Sequence, residues 1–197
     1  MIYISYKDSN LQYTVFFHLN GKTKMSRPNI KPTGRESPFD VDEIIVSKTD
    51  LKGKIVYAND VFLRVSKYRE RDVIGQPHNL IRHPDMPHSV FKLLWDTIQG
   101  GEELFAYILN MASDGDHYWV LAHVTPSRDA SGAISGYHSN RRKPDREQIA
   151  RIEPIYKELR RVESGSGRIK DGMAAALDHL HATMKAQETT YDRFVFS

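Results

Sequence analysis

The sequence contains no cysteine among its 197 residues. Disulfide bonds, cysteine-ligated zinc sites and iron–sulfur clusters are therefore excluded. Catalysis by a thiol nucleophile and light sensing through a cysteine–flavin adduct are excluded for the same reason. Any chemistry in this protein must be carried by side chains that bear oxygen or nitrogen, or by a bound cofactor that needs no thiol ligand.

Long apolar runs are also missing. No segment approaches the roughly 18 consecutive apolar residues that a membrane-spanning helix needs. Residues 1–24 do not begin with the basic segment of a secretory signal. Their apolar residues do not form one continuous stretch either, because KDSN divides them. We therefore expect a soluble, cytoplasmic protein without membrane insertion.

No charge of one sign dominates the sequence. Its 28 basic and 25 acidic residues give a formal net charge of +3, whereas nucleic-acid-binding proteins usually concentrate positive charge on one face. The densest basic segment, residues 140–146 (NRRKPDR), includes an aspartate and joins a predicted strand to a predicted helix. We interpret it as a solvated junction and expect no nucleic-acid partner.

The sequence lacks common catalytic motifs, since it has no GxSxG, no GxGxxG and no P-loop. We therefore predict no enzymatic activity and no catalytic residues. His78, His83 and His88 are spaced by five residues and interrupted by prolines, so they do not share a helix face. Polar loop and capping roles are favoured over a metal site, while His83 as the single protein ligand of a haem stays open.

The segment 44–143 carries the organised part of the chain. A strand pair is followed by short helices, which Gly100 and Gly101 end, and then by three strand patterns separated by turns that contain aspartate and glycine. Because an isolated hairpin is only marginally stable, strands from both ends are predicted to share one sheet. The predicted fold class is α+β: a five-stranded antiparallel sheet with short helices on one face, a cavity between them, and additional C-terminal helices.

The flanking segments are more loosely patterned. Residues 1–43 are interpreted as an N-terminal extension in which Met25 is a possible true start. Residues 144–163 are predicted to be helical, with a break or kink at Pro154. Residues 164–197 combine a flexible linker, a helix with one apolar stripe and an aromatic tail. Docking of this stripe on the same domain is favoured, and pairing with a partner helix in a homodimer stays open.

Two positions suggest a ligand. Residues 117–124 alternate so that Trp119 lies on one strand face and Tyr118 on the other. An aromatic side chain beside an apolar slot suits a flat ligand through offset stacking, and an ordinary packed core is the alternative. Arg82 lies in a stiff loop beside Pro84 and Asp85, where it could meet a phosphate or a ring carbonyl, or form an ion pair with Asp85.

Several strings of residues resemble one known family. SKTDLKGKIVYAND, GQPHNLIRHPDMP, DGDHYWVLAHVTP and GYHSNRR are similar to the PAS domain of bacterial aerotaxis receptors, over residues 44–143 and into EPIYKEL. The resemblance implies the PAS fold, whose five-stranded antiparallel sheet agrees with the pattern above. It also implies non-covalent binding of FAD and a report of redox or oxygen status.

The resemblance implicates particular residues in FAD binding or in its coupling to signalling. The asparagine of the family's AND string falls on Asn59, and the RHPD string falls on Arg82, His83 and Asp85. Asn59 is also a suitable helix cap, and both roles can coexist. The family often has a tryptophan where this sequence has Leu104.

Trp95 and Trp119 complete the list of candidates for the cofactor pocket. Trp95 or Phe105 is available to replace the tryptophan missing at position 104, and Trp119 is the aromatic residue of the alternating strand. The predicted cofactor-binding residues are Asn59, Arg82, His83, Asp85, Trp95 and Trp119.

The predicted function is that of a soluble, stand-alone PAS sensor that signals to a chemoreceptor or histidine-kinase partner. The alternative is a protein–protein interaction adaptor whose cavity is empty or holds haem. The absorbance spectrum of the purified protein separates them, because a flavin gives flavin bands, haem gives a Soret band, and an empty cavity leaves the protein colourless.

Overall fold

A computed structural model describes residues 30–196 of the chain. Its single sheet has the strand order β2-β1-β5-β4-β3, and all neighbouring strands pair antiparallel. The predicted sheet of five antiparallel strands is confirmed. The strands are β1 (Ile45–Thr49), β2 (Ile55–Ala58), β3 (Leu104–Met111), β4 (His117–Arg128) and β5 (Ile134–Arg142).

The sheet unites the two ends of the segment because β1 pairs with both β2 and β5. The β1–β2 turn is tight: the Asp50 carboxylate accepts hydrogen bonds from the backbone N–H groups of Lys52 and Lys54, each at 2.9 Å. Gly53 in this turn has a φ of +73°, a conformation that favours glycine. The hairpin that carries Lys52 is therefore locally well defined.

The helices between β2 and β3 cover one face of the sheet. A short 3₁₀ segment, His78–Ile81, precedes the longest helix of this layer. The alternation in β4 is confirmed, since Tyr118, Val120, Ala122 and Val124 are buried whereas Trp119, Leu121 and His123 are half-buried. The helices of this layer are α1 (Asp60–Ser66), α2 (Glu70–Val73) and α3 (His88–Gln99).

Three C-terminal helices follow: α4 (Arg146–Ser164), α5 (Ile169–Ala186) and α6 (Tyr191–Phe196). Helix α4 lies against the sheet face opposite α3, where the Tyr156 hydroxyl donates to the Tyr107 carbonyl at 2.7 Å. The predicted break or kink at Pro154 is not a break, because α4 continues across this residue.

Helix α5 docks on the same domain. It packs against α3 and α4, and its stripe residues Ala176, Leu180 and Met184 are buried. Ile169, at the N-terminal end of this stripe, has an exposed side chain. In the part of the chain that the structure describes, no helix has the length and apolar character needed to cross a membrane.

Residues 33–39 pack against the domain that follows them. Thr33 and Arg35 donate to the Asp116 carboxylate, which also pairs with Lys67 at 2.8 Å. These hydrogen bonds, above all the one from Lys67, hold the pKa of Asp116 well below its ordinary value. The boundaries proposed for the extensions remain predictions, and the start proposed at Met25 lies outside the described residues.

Candidate functional site

A cavity of about 520 Å³ lies between the inner face of the sheet and helix α3. Strands β1, β3, β4 and β5 form its floor, and α3 forms one wall. The 3₁₀ segment and the β1–β2 turn close its sides, and Met173 of α5 also contributes to the lining. The predicted cavity between sheet and helices is therefore present.

The most buried charged residue of the cavity lining is Arg141, which is 3% exposed. It donates hydrogen bonds to Ser47 Oγ at 2.8 Å and to His78 Nε2 at 2.6 Å. Because a guanidinium only donates, His78 Nε2 must accept, and the imidazole is neutral. Burial and the nearby Arg141 charge lower the pKa of His78 to about 3.

Arg141 carries its charge without an acidic partner. Burial lowers its pKa to about 10, so the guanidinium remains charged at neutral pH. Among the described residues, no carboxylate lies within ion-pair distance of it. An unpaired buried cation is costly for a folded protein, which indicates that the cavity is built for an electron-rich ligand.

Other polar groups of the lining also lack partners. Six buried side-chain polar atoms in the described part of the chain have no hydrogen-bond partner, and four of them belong to cavity residues. Leaving such a group unpaired costs about 1–3 kcal/mol. Their clustering indicates that a polar ligand, or water in its absence, completes them. The four atoms are Thr49 Oγ1, Asn110 Nδ2, Ser139 Oγ and Arg141 Nη1.

Apolar side chains line the rest of the cavity. Trp95 of α3 meets Tyr137 of β5 edge to face, with ring centroids 5.4 Å apart. A Cβ atom added at Gly53 would lie 2.9 Å from two atoms of the Trp95 indole, so the β1–β2 turn rests directly on this ring. The apolar walls are Phe91, Leu94, Trp95, Ile98, Ile108 and Val124.

Positive charge dominates the cavity lining. It includes Lys52, Arg82, Lys92 and Arg141, and none of the lining residues in the described part of the chain is acidic. This asymmetry contrasts with the nearly balanced charge of the whole sequence. The lining therefore favours an anionic ligand over a neutral or cationic one.

Two of the predicted site residues, Arg82 and Trp95, line the cavity. The Arg82 guanidinium donates to the Met86 carbonyl at 3.0 Å and lies 4.6 Å above the Phe91 ring. Both contacts fix the side chain along α3. Trp95 supplies the aromatic wall, whereas Phe105 is stacked on His123.

Asn59 joins two elements rather than lining the cavity. Its side-chain oxygen accepts from Phe62 N at 2.9 Å and caps α1, and it also accepts from Val46 N at 3.0 Å. Its amide donates to the Ile44 carbonyl at 2.8 Å. The capping role expected for this residue is confirmed, and it ties α1 to the start of β1.

His83 and Asp85 belong to the loop before α3 and do not line the cavity. His83 is buried, and its Nδ1 accepts from Asp85 N at 3.0 Å. The Asp85 carboxylate pairs with Arg160 of α4 at 2.5 Å. Both residues shape the loop that presents Arg82, and the structure gives no support to His83 as a haem ligand in this cavity.

The assignment of Trp119 is corrected by the structure. Its indole lies on the sheet face opposite the cavity and stacks on Tyr156 of α4, with centroids 6.1 Å apart and planes inclined by 30°. The alternation of β4 did not decide which of its two faces lies towards the cavity. Helix α4 decides the outcome, because it covers the face that carries Trp119.

Sequence reasoning missed Arg141 as a site residue. Interpreting 140–146 as a solvated junction is wrong for Arg141, which is buried, whereas the neighbouring Arg142 is exposed. The available signal was the alternation of β5, which places Tyr137, Ser139 and Arg141 on one face. His78 and Asn110 were also missed as lining residues, and their local sequence carried no comparable signal.

Comparison with known proteins agrees with this geometry. Residues 55–140 match the family model described as the PAS fold. The chain contains a PAS domain. The aerotaxis receptor of Escherichia coli (strain K12) is 42% identical to it over 141 residues, which cover 72% of this chain and 28% of the receptor. The predicted relation to PAS domains of the aerotaxis-receptor type is confirmed.

Two further similarities extend the comparison of the PAS domain. Protein TWIN LOV 1 of Arabidopsis thaliana is 34% identical over 80 residues, or 40% of this chain and 20% of that protein. A solved light-oxygen-voltage domain, studied with a flavin analogue, superposes with a TM-score of 0.50 at 20% identity and covers 58% of this chain and 86% of that chain. At this low identity the likeness shows the fold alone. The chain spans less than a third of the length of these curated relatives.

Proposed function

We propose that this chain is a sensory PAS protein that binds FAD in its cavity and passes the redox state of the flavin to a chemoreceptor or histidine-kinase partner. The observation that carries the proposal is the set of unpartnered polar atoms around the buried charge of Arg141. Its similarity to an aerotaxis receptor supports the sensory, non-catalytic role. The apolar walls and the cationic lining of the cavity support the class of cofactor.

The lining matches the chemistry of a flavin. A flavin ring system is flat, with carbonyl oxygens and ring nitrogens along one edge. The apolar walls around Trp95 and Leu94 suit the flat faces, while Arg141, Asn110 and Ser139 offer donors for the polar edge. When bound, the flavin supplies oxidation and reduction chemistry, with a change in its charge and protonation.

The protein's own groups can respond to such a change. The Arg141 guanidinium favours negative charge at the polar edge, and neutral His78 holds the guanidinium in place without neutralising it. Asn110 offers an amide that can turn to present either its oxygen or its N–H₂ group. A change of charge in the cavity therefore alters the hydrogen bonding of β3 and β5.

Helix α3 links the cavity to the C-terminal helices. Its N-terminal N–H groups, at His88 and Ser89, donate to the Glu163 carboxylate of α4 at 3.0 and 2.7 Å. Burial raises the pKa of Glu163, but the hydrogen bonds from Ser89 and His88 outweigh it, so the pKa stays below its ordinary value. We infer that the output passes from α3 through Glu163 to the α4–α5 region.

The absorbance spectrum of the purified protein tests the proposal directly. We expect flavin absorption bands, or their appearance after incubation with FAD. Arg141→Ala should lose the flavin, while Arg142→Ala, which changes the exposed neighbour, should retain it. Because Arg141 is buried, Asn110→Ala and Ser139→Ala are measured as well, with the unfolding transition of each variant as a check on folding.

Three results would contradict flavin binding at the polar end of the cavity. Protein that folds, remains colourless and takes up no flavin on reconstitution contradicts the proposal and favours a cofactor-free adaptor. A Soret band indicates haem instead. Full flavin occupancy in well-folded Arg141→Ala, Asn110→Ala and Ser139→Ala variants excludes the polar end of the cavity as the recognition site.

A further inference from the structure

The cavity has a second polar region at its opening. Lys52 is exposed and Lys92 is 39% exposed at its side chain, yet both line the cavity. Arg141, by contrast, is buried. The cavity therefore has a cationic group at depth, apolar walls, and two lysines at the solvent side.

The fold holds the two lysines on the same rim. Lys92 and Trp95 lie three residues apart on α3 and share a helix face. The β1–β2 turn rests on the Trp95 ring through Gly53, the residue directly after Lys52. The Gly53–Trp95 contact thus brings the backbone of Lys52 next to the helix turn that begins at Lys92.

Neither lysine is committed to a strong partner. Among the described residues, Lys52 has no ion pair, and Lys92 pairs with the exposed Asp96 at 2.5 Å within the same helix. Exposed pairs of this kind contribute little stability, about 0–1 kcal/mol. An incoming anion can therefore displace Asp96 at small cost.

We propose that Lys52 and Lys92 bind a phosphate group of the ligand, so that the cavity selects phosphorylated flavins over unphosphorylated riboflavin. The inference deepens the proposed flavin-binding function and depends on it. The absence of any acidic lining residue in the described chain, together with the rim position of both lysines, carries it. A flat ring at the apolar walls leaves its side chain and phosphate to reach the opening, where ammonium groups are suitable partners.

Three ligands that share the flavin ring system and differ in the groups attached to its side chain separate the contribution of the phosphate from that of the ring. Apoprotein is titrated with riboflavin, FMN and FAD, and binding is followed by the change in flavin fluorescence. In the unaltered protein, FMN and FAD should bind at least about tenfold more tightly than riboflavin at low salt, because charge-assisted hydrogen bonds add affinity. Added salt should narrow this difference, since the rim is exposed to solvent.

Variants then assign the effect to the rim. The double substitution Lys52→Gln and Lys92→Gln should weaken FMN and FAD binding by about tenfold and leave riboflavin within about twofold. Lys54→Gln is the matched control, because Lys54 is exposed on the same turn but does not line the cavity. It should change none of the three affinities.

The outcomes distinguish this inference from the proposed function. Equal binding of riboflavin, FMN and FAD by the unaltered protein overturns the phosphate subsite and leaves flavin binding standing. Equal weakening of all three ligands in the double variant also overturns it, since that result indicates a general effect on the cavity. Failure of all three to bind overturns the proposed function and this inference together.

Discussion

The hydrogen bond from Arg141 to His78 makes the stability of the protein depend on the protonation of His78. His78 Nε2 accepts from the guanidinium, so protonation of this nitrogen would replace a hydrogen bond with repulsion between two cations. Its pKa is lowered to about 3, first by burial and then by the Arg141 charge. Since an unfolded histidine has a pKa of about 6.5, the unfolded chain binds the proton more readily.

The free energy of unfolding of the apoprotein should therefore fall as the pH is lowered from about 6.5 towards 3. A single proton contributes a slope of at most about 1.4 kcal/mol per pH unit. Denaturant unfolding at several pH values between 7 and 5 measures this slope, above the range in which the carboxylates titrate. His78→Asn keeps an acceptor but cannot titrate, so its slope should be smaller, and an unchanged slope would remove His78 as the source.

At the scale of elements, a close crossing joins α4 to α5. A Cβ atom added at Gly172 would lie 2.4 Å from the Glu163 carbonyl oxygen and 3.1 Å from its carbon. Backbone atoms at such distances cannot yield in the way that a flexible side chain can. Glu163 therefore holds α5 through its backbone and α3 through its carboxylate.

Gly172→Ala should destabilise the protein by about 1–3 kcal/mol, because the added methyl group forces α5 away from α4. Helix propensity alone predicts the opposite, since alanine favours a helix over glycine by about 1 kcal/mol. The free energy of unfolding in denaturant decides between the two. Gly167→Ala is the control: a Cβ there meets nothing within 4 Å and should be nearly neutral.

At the scale of the whole molecule, the C-terminal helices take part in the cavity. Met173 of α5 contributes to the lining, although α5 follows the PAS-matched residues 55–140. A ligand that contacts Met173 favours the docked arrangement of α5 over an undocked one. Ligand binding and the position of the C-terminal helices should therefore be coupled.

Flavin binding should protect the α4–α5 joint, residues 164–167, from limited proteolysis. If opening of the joint requires loss of the ligand contact, cleavage slows by up to about tenfold at a ligand concentration ten times the Kd. The exposed β4–β5 turn at residues 129–132 lies away from the lining and should be cleaved at an unchanged rate. Equal rates at the joint with and without flavin would show that α5 does not respond to the cavity.

The sequence by itself determined the elements and the family. Alternation in β4 and β5, turns with aspartate and glycine, and the strings around Asn59 and Arg82 are local features, so they can be recognised without coordinates. They predicted the five-stranded sheet, the covering helices and the PAS relationship. Arg82 and Trp95, two of the six predicted cofactor-binding residues, line the cavity, and their role in binding stays a prediction.

Only the tertiary structure decided which polar groups meet. Arg141 is separated by 94 residues from Ser47 and by 63 from His78, so no local pattern joins the three. The inner and outer faces of β4 look equally apolar in sequence, and the packing of α4 on Trp119 chooses between them. A binding site is a convergence of distant side chains around a shared space, and that space exists only after the sheet and helices have packed.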